Sequence, residues 1–135
     1  MSTFNSIEEA REFFKGDKYA AASNIRIDSL EDDKCVCSMD IVDDCHRNAV
    51  GGIMGGVLFT LGDFAFAVAS NNMYSLTVAL TVNINFLSGT KGSRLFAATK
   101  CVKDGRTTCV YDIDIYDDTG REVAKFIGTG YKIGA

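Results

Sequence analysis

The sequence predicts an α+β domain, a curled antiparallel β-sheet wrapped around one long central helix. Three features of the chain lead there. The apolar run from Val57 to Ala69 is too long for a strand and apolar on nearly every side, the pattern of a buried helix. Ahead of it, apolar residues recur with period two from Asn24 to Val42. Behind it, everything after Tyr74 reads as strand broken only by turn signals. With 135 residues, 47% of them apolar and 24% charged, the chain has the size and make-up of one domain over 1–135 with its own core.

Taken in order, residues 5–15 form a short amphipathic helix. Ser6 is the N-cap, Glu9 stands at the capping-box position, and Ile7, Ala10, Phe13 and Phe14 make the apolar face. Gly16 ends it, and Tyr19–Ser23 is a connection rich in small residues. A strand from Asn24 with Ile25, Ile27 and Ser29 on one side turns at Glu31-Asp32-Asp33 and returns as Cys35–Val42. Asp43–Asn48 is a polar loop into the glycine-rich approach of Gly51, Gly52, Gly55 and Gly56, and the central helix ends near Asn71-Asn72. Ser75–Phe86 alternates strictly, with Thr77, Ala79, Thr81, Asn83 and Asn85 opposite Val78, Leu80, Val82, Ile84 and Phe86. Strands at about 94–103 and 107–116 flank the Asp104-Gly105 turn, and Asp117–Gly120 leads into a last strand from Arg121 to about Ile133.

A net charge of −4 and the lack of any basic run argue against nucleic acid as a partner. The opening residues are polar and acidic, unlike a secretory signal, and no apolar run reaches the length of a membrane span. The expected location is the cytoplasm, with no membrane contact. The five cysteines lack zinc-type spacing; Cys35 and Cys37 point the same way on one strand, and reduced thiols used as small apolar residues explain the set better than a metal site at Cys45-His46.

Chemistry is expected along the central helix. Asp63 is the one charge inside the apolar run, so it must be paired, hydrogen-bonded or functional. Thr60, Asp63, Ala67 and Ser70 share a face at helical spacing, a narrow polar and small-residue stripe left uncovered by the chain's own sheet. At the helix start, Gly55 and Gly56 leave backbone N–H groups without intrahelical partners and without side chains to shield them. Two readings fit those glycines: an oxyanion hole for a thioester carbonyl, or close helix–sheet packing. Asp63 lies eight residues beyond Gly55, about 12 Å along a helix that rises about 1.5 Å per residue. Both groups can act on one carbonyl only if the acid comes from a second copy of the chain, so the expected assembly is a homodimer with symmetry-related sites.

The string Asn48-x-x-Gly51-x-x-Met54-Gly55-Gly56, then Leu58-Phe59-x-Leu61-x-Asp63 with Ala65, Ala67, Ala69 and Asn71, resembles the signature of hotdog-fold acyl-CoA thioesterases. It is most similar to the phenylacetate-degradation branch, whose pattern is Asn-x-x-Gly-x-x-His-Gly-Gly with an Asp on the following helix. Asn83–Leu87, Tyr111–Ile115 and Val123–Gly128 extend the likeness to the C-terminal strands. The resemblance implies a hotdog fold and a thioester hydrolase acting on a small aromatic or short- to medium-chain acyl-CoA. It makes Asp63 the nucleophile or the base that activates water, the Gly55 N–H the group polarising the carbonyl across the dimer, and Asn48 a holder of the carbonyl or water. Met54, Gly56 and Thr81 are assigned to substrate binding. It also implies a dimer with a continuous sheet, often paired into a tetramer, and no bound cofactor, coenzyme A being part of the substrate.

This chain departs from the pattern at two places. Met54 stands where the branch usually has His, and a thioether neither donates a hydrogen bond nor carries charge. A strand position that often holds Ser or Thr near the acid falls at about Ala79, with Thr77 and Thr81 two residues to either side. A non-catalytic acyl-CoA-binding module is therefore the alternative. A hydratase of the same fold is disfavoured because no His stands beside an acid within the helix. His46, the only histidine, is placed in a loop, from which it could compensate in part for Met54.

Overall fold

The computed structural model describes residues 2–134. Helix α1 spans Ile7–Phe14, and Ser6 caps it by accepting the Glu9 N–H at 3.1 Å. The Glu9 carboxylate takes the Asn5 amide instead of the Ser6 backbone, so half of the capping box forms. The segment expected to be a bare connection contains a helical turn, α2 (Lys18–Ala22), whose N-cap Asp17 makes no side-chain capping bond. Strands β1 (Arg26–Glu31) and β2 (Lys34–Asp40) form the expected hairpin, and a second unanticipated turn of helix, α3 (Asp43–His46), follows. Cys35 and Cys37 are both buried with their sulfurs 3.5 Å apart, as their spacing on one strand required.

Helix α4 runs from Gly55 to Tyr74, longer at both ends than the apolar run. The glycines at its start belong to its first turn, and Asn71 and Asn72 continue it because their amides have partners. Asn71 Nδ2 donates to the Ala67 carbonyl, and Asn72 Nδ2 reaches Asp32 O at 2.8 Å. Strands β3 (Thr77–Phe86), β4 (Arg94–Asp104), β5 (Thr108–Asp117) and β6 (Glu122–Lys132) complete one antiparallel sheet of order β1-β2-β4-β5-β6-β3. The sheet curls around α4, which touches every strand from β2 to β6. Gly62 permits that approach: a Cβ there would lie 2.6 Å from the Phe126 ring. The core joins Leu61, Phe66 and Val68 of α4 to Tyr111, Ile113 and Phe126 of the sheet, with Phe66 edge-on to Tyr111.

Two bulges correct the strict alternation expected of β1 and β3. In β1 the register slips at Asp28, so Leu30 and not Ser29 follows Ile27 inward. In β3 it slips at Leu80: Thr77 is buried before the bulge, while Val82 and Ile84 pack on the core after it. An extra residue swaps the two faces of a strand, and the apolar pattern on either side gives no sign of it.

The edges of the sheet differ. β1 carries Arg26, Asp28 and Glu31. β3 carries no charge and no proline over its ten residues, and exposes Val78, Leu80 and Phe86, with Leu76 and Leu87 beyond its ends.

Candidate active site

The open face of α4 presents Gly56, Phe59, Thr60, Asp63 and Ala67. Ser70 does not belong to it. Ser70 is fully buried and its hydroxyl donates to the Phe66 carbonyl at 2.7 Å, so that end of the expected stripe faces protein. Thr60 Oγ1 likewise donates to its own helix, at Gly56 O.

Asp63 is half-buried and opens into a cavity of about 290 Å³ bounded by α2, Phe59 and Phe64. No hydrogen bond or ion pair reaches its carboxylate among the described residues. Burial raises its pKa from the ordinary carboxylate value, and the negative charge of Asp17 across the cavity adds to the shift. Asp17 is the residue that the sequence did not disclose. Its carboxylate is available because it leaves α2 uncapped, and it meets Asp63 because α2 folds over the open face of α4. A lone Asp ahead of a small-residue segment carries no local signal of that meeting.

A second cavity of about 290 Å³ adjoins the first, sharing Tyr19 and Thr60, and lies at the start of α4. Met54, Gly56, Val57 and His46 line it. Met54 occupies the N-cap position without a side-chain cap, and the Gly55 and Gly56 N–H groups find no acceptor among the described residues. The side-chain positions of the two glycines differ, while both N–H groups stay open to an oxyanion. A Cβ on Gly55 would lie 2.8 Å from the Phe86 ring, whereas one on Gly56 would meet nothing within 4 Å. A side chain at Gly55 would displace the exposed Phe86 ring of β3, and Gly56 leaves open space over the amides.

Asn48 shapes the approach. Its Oδ1 accepts the Val50 and Gly52 N–H groups at 3.1 and 3.0 Å, its own N–H donates to Gly52 O at 2.7 Å, and Gly51 adopts φ 89° within that loop. Its Nδ2 remains without an acceptor among the described residues. Thr81 lies exposed on β3, just past the bulge, and lines neither cavity. Of the aromatic residues near the site, Phe59 lines the Asp63 cavity, Phe86 covers Gly55 and Phe66 is core. Arg94 is committed to Asp40 and Ser38. Among the described residues no group of three His, Cys, Asp or Glu side chains could hold a metal, and no helix is long and apolar enough to cross a membrane.

The family model described as the thioesterase superfamily matches residues 50–124, more than half of the chain. The chain belongs to the thioesterase superfamily. Acyl-coenzyme A thioesterase PaaI of Escherichia coli is 34% identical over 128 residues, 94% of this chain and 91% of its own. The structure of the Escherichia coli PaaI protein from the phenylacetic acid degradation operon superposes with a TM-score of 0.87 at 32% identity, covering 95% of this chain and 93% of that one. A thioesterase protein of Streptococcus pneumoniae solved with coenzyme A gives a TM-score of 0.79 at 32% identity over 87% and 94% of the two chains. This PaaI-like thioesterase thus has the hotdog fold, with α4 as its central helix, and is a thioester hydrolase.

Proposed function

We propose that this thioesterase hydrolyses a small aromatic or short- to medium-chain acyl-CoA at a site shared by two copies of the chain. Asp63 of one copy takes a proton from water as the oxygen attacks the thioester carbonyl carbon. The oxyanion is held by the Gly55 and Gly56 amides of the other copy, helped by the positive end of the α4 dipole. Asn48 offers its free Nδ2 to the carbonyl or the water. Collapse breaks the C–S bond, the CoA sulfur leaves with the proton from Asp63, and the free acid is released. Coenzyme A enters as substrate and no resident cofactor is required.

The observation that carries this reading is Asp63: a half-buried carboxylate, unpaired among the described residues, opening into a cavity. Desolvation without a partner is unfavourable for a structural acid and useful for a base, whose proton affinity it raises. Phe59 and Phe64 beside it favour an aromatic or modest aliphatic acyl group. The uncharged, apolar edge at β3 supports the homodimer, since such an edge is a template for a further strand and a second copy supplies one.

Thiol release from a panel of aromatic and C2–C12 acyl-CoAs tests it. Turnover is expected for the wild type, with a fall of roughly 100- to 10,000-fold in Asp63→Asn. Equal turnover in both proteins refutes the role of Asp63. Tight acyl-CoA binding with no thiol release from the wild type favours the binding module that the Met54 thioether keeps in play.

A further inference from the structure

We propose that His46 donates a hydrogen bond from Nε2–H to the acyl carbonyl group of the bound thioester, a definite form of the compensation for Met54 that its place in the sequence allowed. The inference rests on the catalytic reading of the α4 site and adds a residue to it.

His46 closes α3 and is 5% exposed. Its Nδ1 accepts the Val42 N–H at 2.8 Å, and its carbonyl accepts the Met54 N–H at 3.0 Å. An Nδ1 that accepts carries no proton, so the neutral ring bears its proton on Nε2. His46 lines the cavity at the start of α4 that Met54 and Gly56 also line. Nε2–H has no acceptor among the described residues. One cavity is therefore lined both by His46, with its free ring donor, and by Gly56, whose N–H has no acceptor among the described residues, while the Met54 thioether cannot donate and Thr60 Oγ1 gives its proton to Gly56 O. Unmatched donors facing a confined, mostly apolar space call for an acceptor that arrives with the ligand, and the acceptor a thioester brings is its carbonyl oxygen. The anchoring through Val42 holds the ring in place before substrate enters, so the donor needs no rearrangement on binding.

Two substitutions separate the two nitrogens. His46→Asn places an oxygen near Nδ1, keeps the Val42 contact and removes the outward donor. His46→Gln keeps an outward N–H and removes the inner acceptor. With the acyl-CoA that the wild type turns over, His46→Asn is expected to lose about 10- to 100-fold in kcat/KM at an unchanged melting temperature. His46→Gln is expected to retain more activity at a lower melting temperature. Adding Met54→His to His46→Asn returns a donor to the same cavity and should recover most of the loss. A structural role alone predicts the reverse order of activities and no recovery, and either result overturns the proposal. Asp63→Asn in the same assay keeps the two readings apart. Loss in that variant with wild-type turnover in His46→Asn removes His46 alone. Turnover in Asp63→Asn removes the catalytic reading, and acyl-CoA affinity by calorimetry, weakened in His46→Asn or unchanged, then decides for or against the donor.

Discussion

Mixing two inactive variants should restore activity if the site is shared between chains. Asp63 and the Gly55 amide are eight residues apart on one helix, about 12 Å at about 1.5 Å per residue, whereas both must come within about 3 Å of one reacting carbonyl. Asp63→Asn disables the acid end. Gly56→Val disables the amide end, because its side chain projects into space where a Cβ meets nothing within 4 Å, blocking the ligand without disturbing the protein. Each homodimer then carries one defect in every site. In a mixed dimer one site collects both defects and the other collects none. Random exchange at equal concentrations makes about half of the dimers mixed, so about a quarter of all sites are intact. The assay is thiol release after brief co-denaturation and refolding, with each variant treated alone as the control. Recovery near a quarter of wild-type turnover is expected. Recovery no greater than the sum of the two controls, with mixed dimers confirmed by mass spectrometry, means that acid and amides act within one chain, and the geometric reasoning fails.

Asp63→Asn should also stabilise the protein, by about 1 kcal/mol or roughly 3–5 °C in Tm at pH 7. The Asp63 pKa is raised by burial and then by Asp17, so its ionisation costs stability once the pH passes the unfolded value; the gain is therefore full above the folded value and vanishes below the ordinary carboxylate range, and a destabilised variant at pH 7 in thermal melts refutes this. Asp117 behaves in the opposite sense. Burial pushes its carboxyl up, but the Thr119 hydroxyl and the Lys91, Thr119 and Arg121 N–H groups outweigh burial and hold it well below the usual range. Its contribution is present above the unfolded carboxylate value and lost as the pH falls toward the depressed folded one, and Asp117→Ala should cost about 3 kcal/mol in denaturant titrations at pH 7.

The chain disclosed its long elements and hid its short ones, for a physical reason. α4 was visible because burial on every side leaves an apolar run that only a helix fits, and the hairpins because turn residues interrupt a period of two. α2 and α3 span five and four residues, too short to show a helical period, and neither is capped by a side chain. The bulges at Asp28 and Leu80 were invisible because alternation reads equally well on either side of them. The site divides in the same way. Asp63 stood out as a charge where apolar residues were required. Asp17 and the inward face of His46 did not, since both depend on how α2 and α3 fold back over α4. Ser70 matched the stripe by spacing but is turned inward, bonded to its own helix.

Three unmatched features of this chain converge on one requirement. The β3 edge lacks the charges that guard β1, and among the described residues the first turn of α4 has free amides and Asp63 has no partner. Phe86 connects the first two, because it stands at the end of β3 and packs its ring against Gly55. A strand that adds to the β3 edge therefore arrives beside the first turn of α4. Were the edge only a folding accident, a charge along its ten residues would protect it at little cost, as on β1. Were Asp63 only structural, Asn would fill the same volume without the desolvation that raises its pKa. The proposed second copy, docked on β3, would account for both, since it would cover the edge and bring another acid toward amides that the chain's own acid, on the same rigid helix, cannot reach.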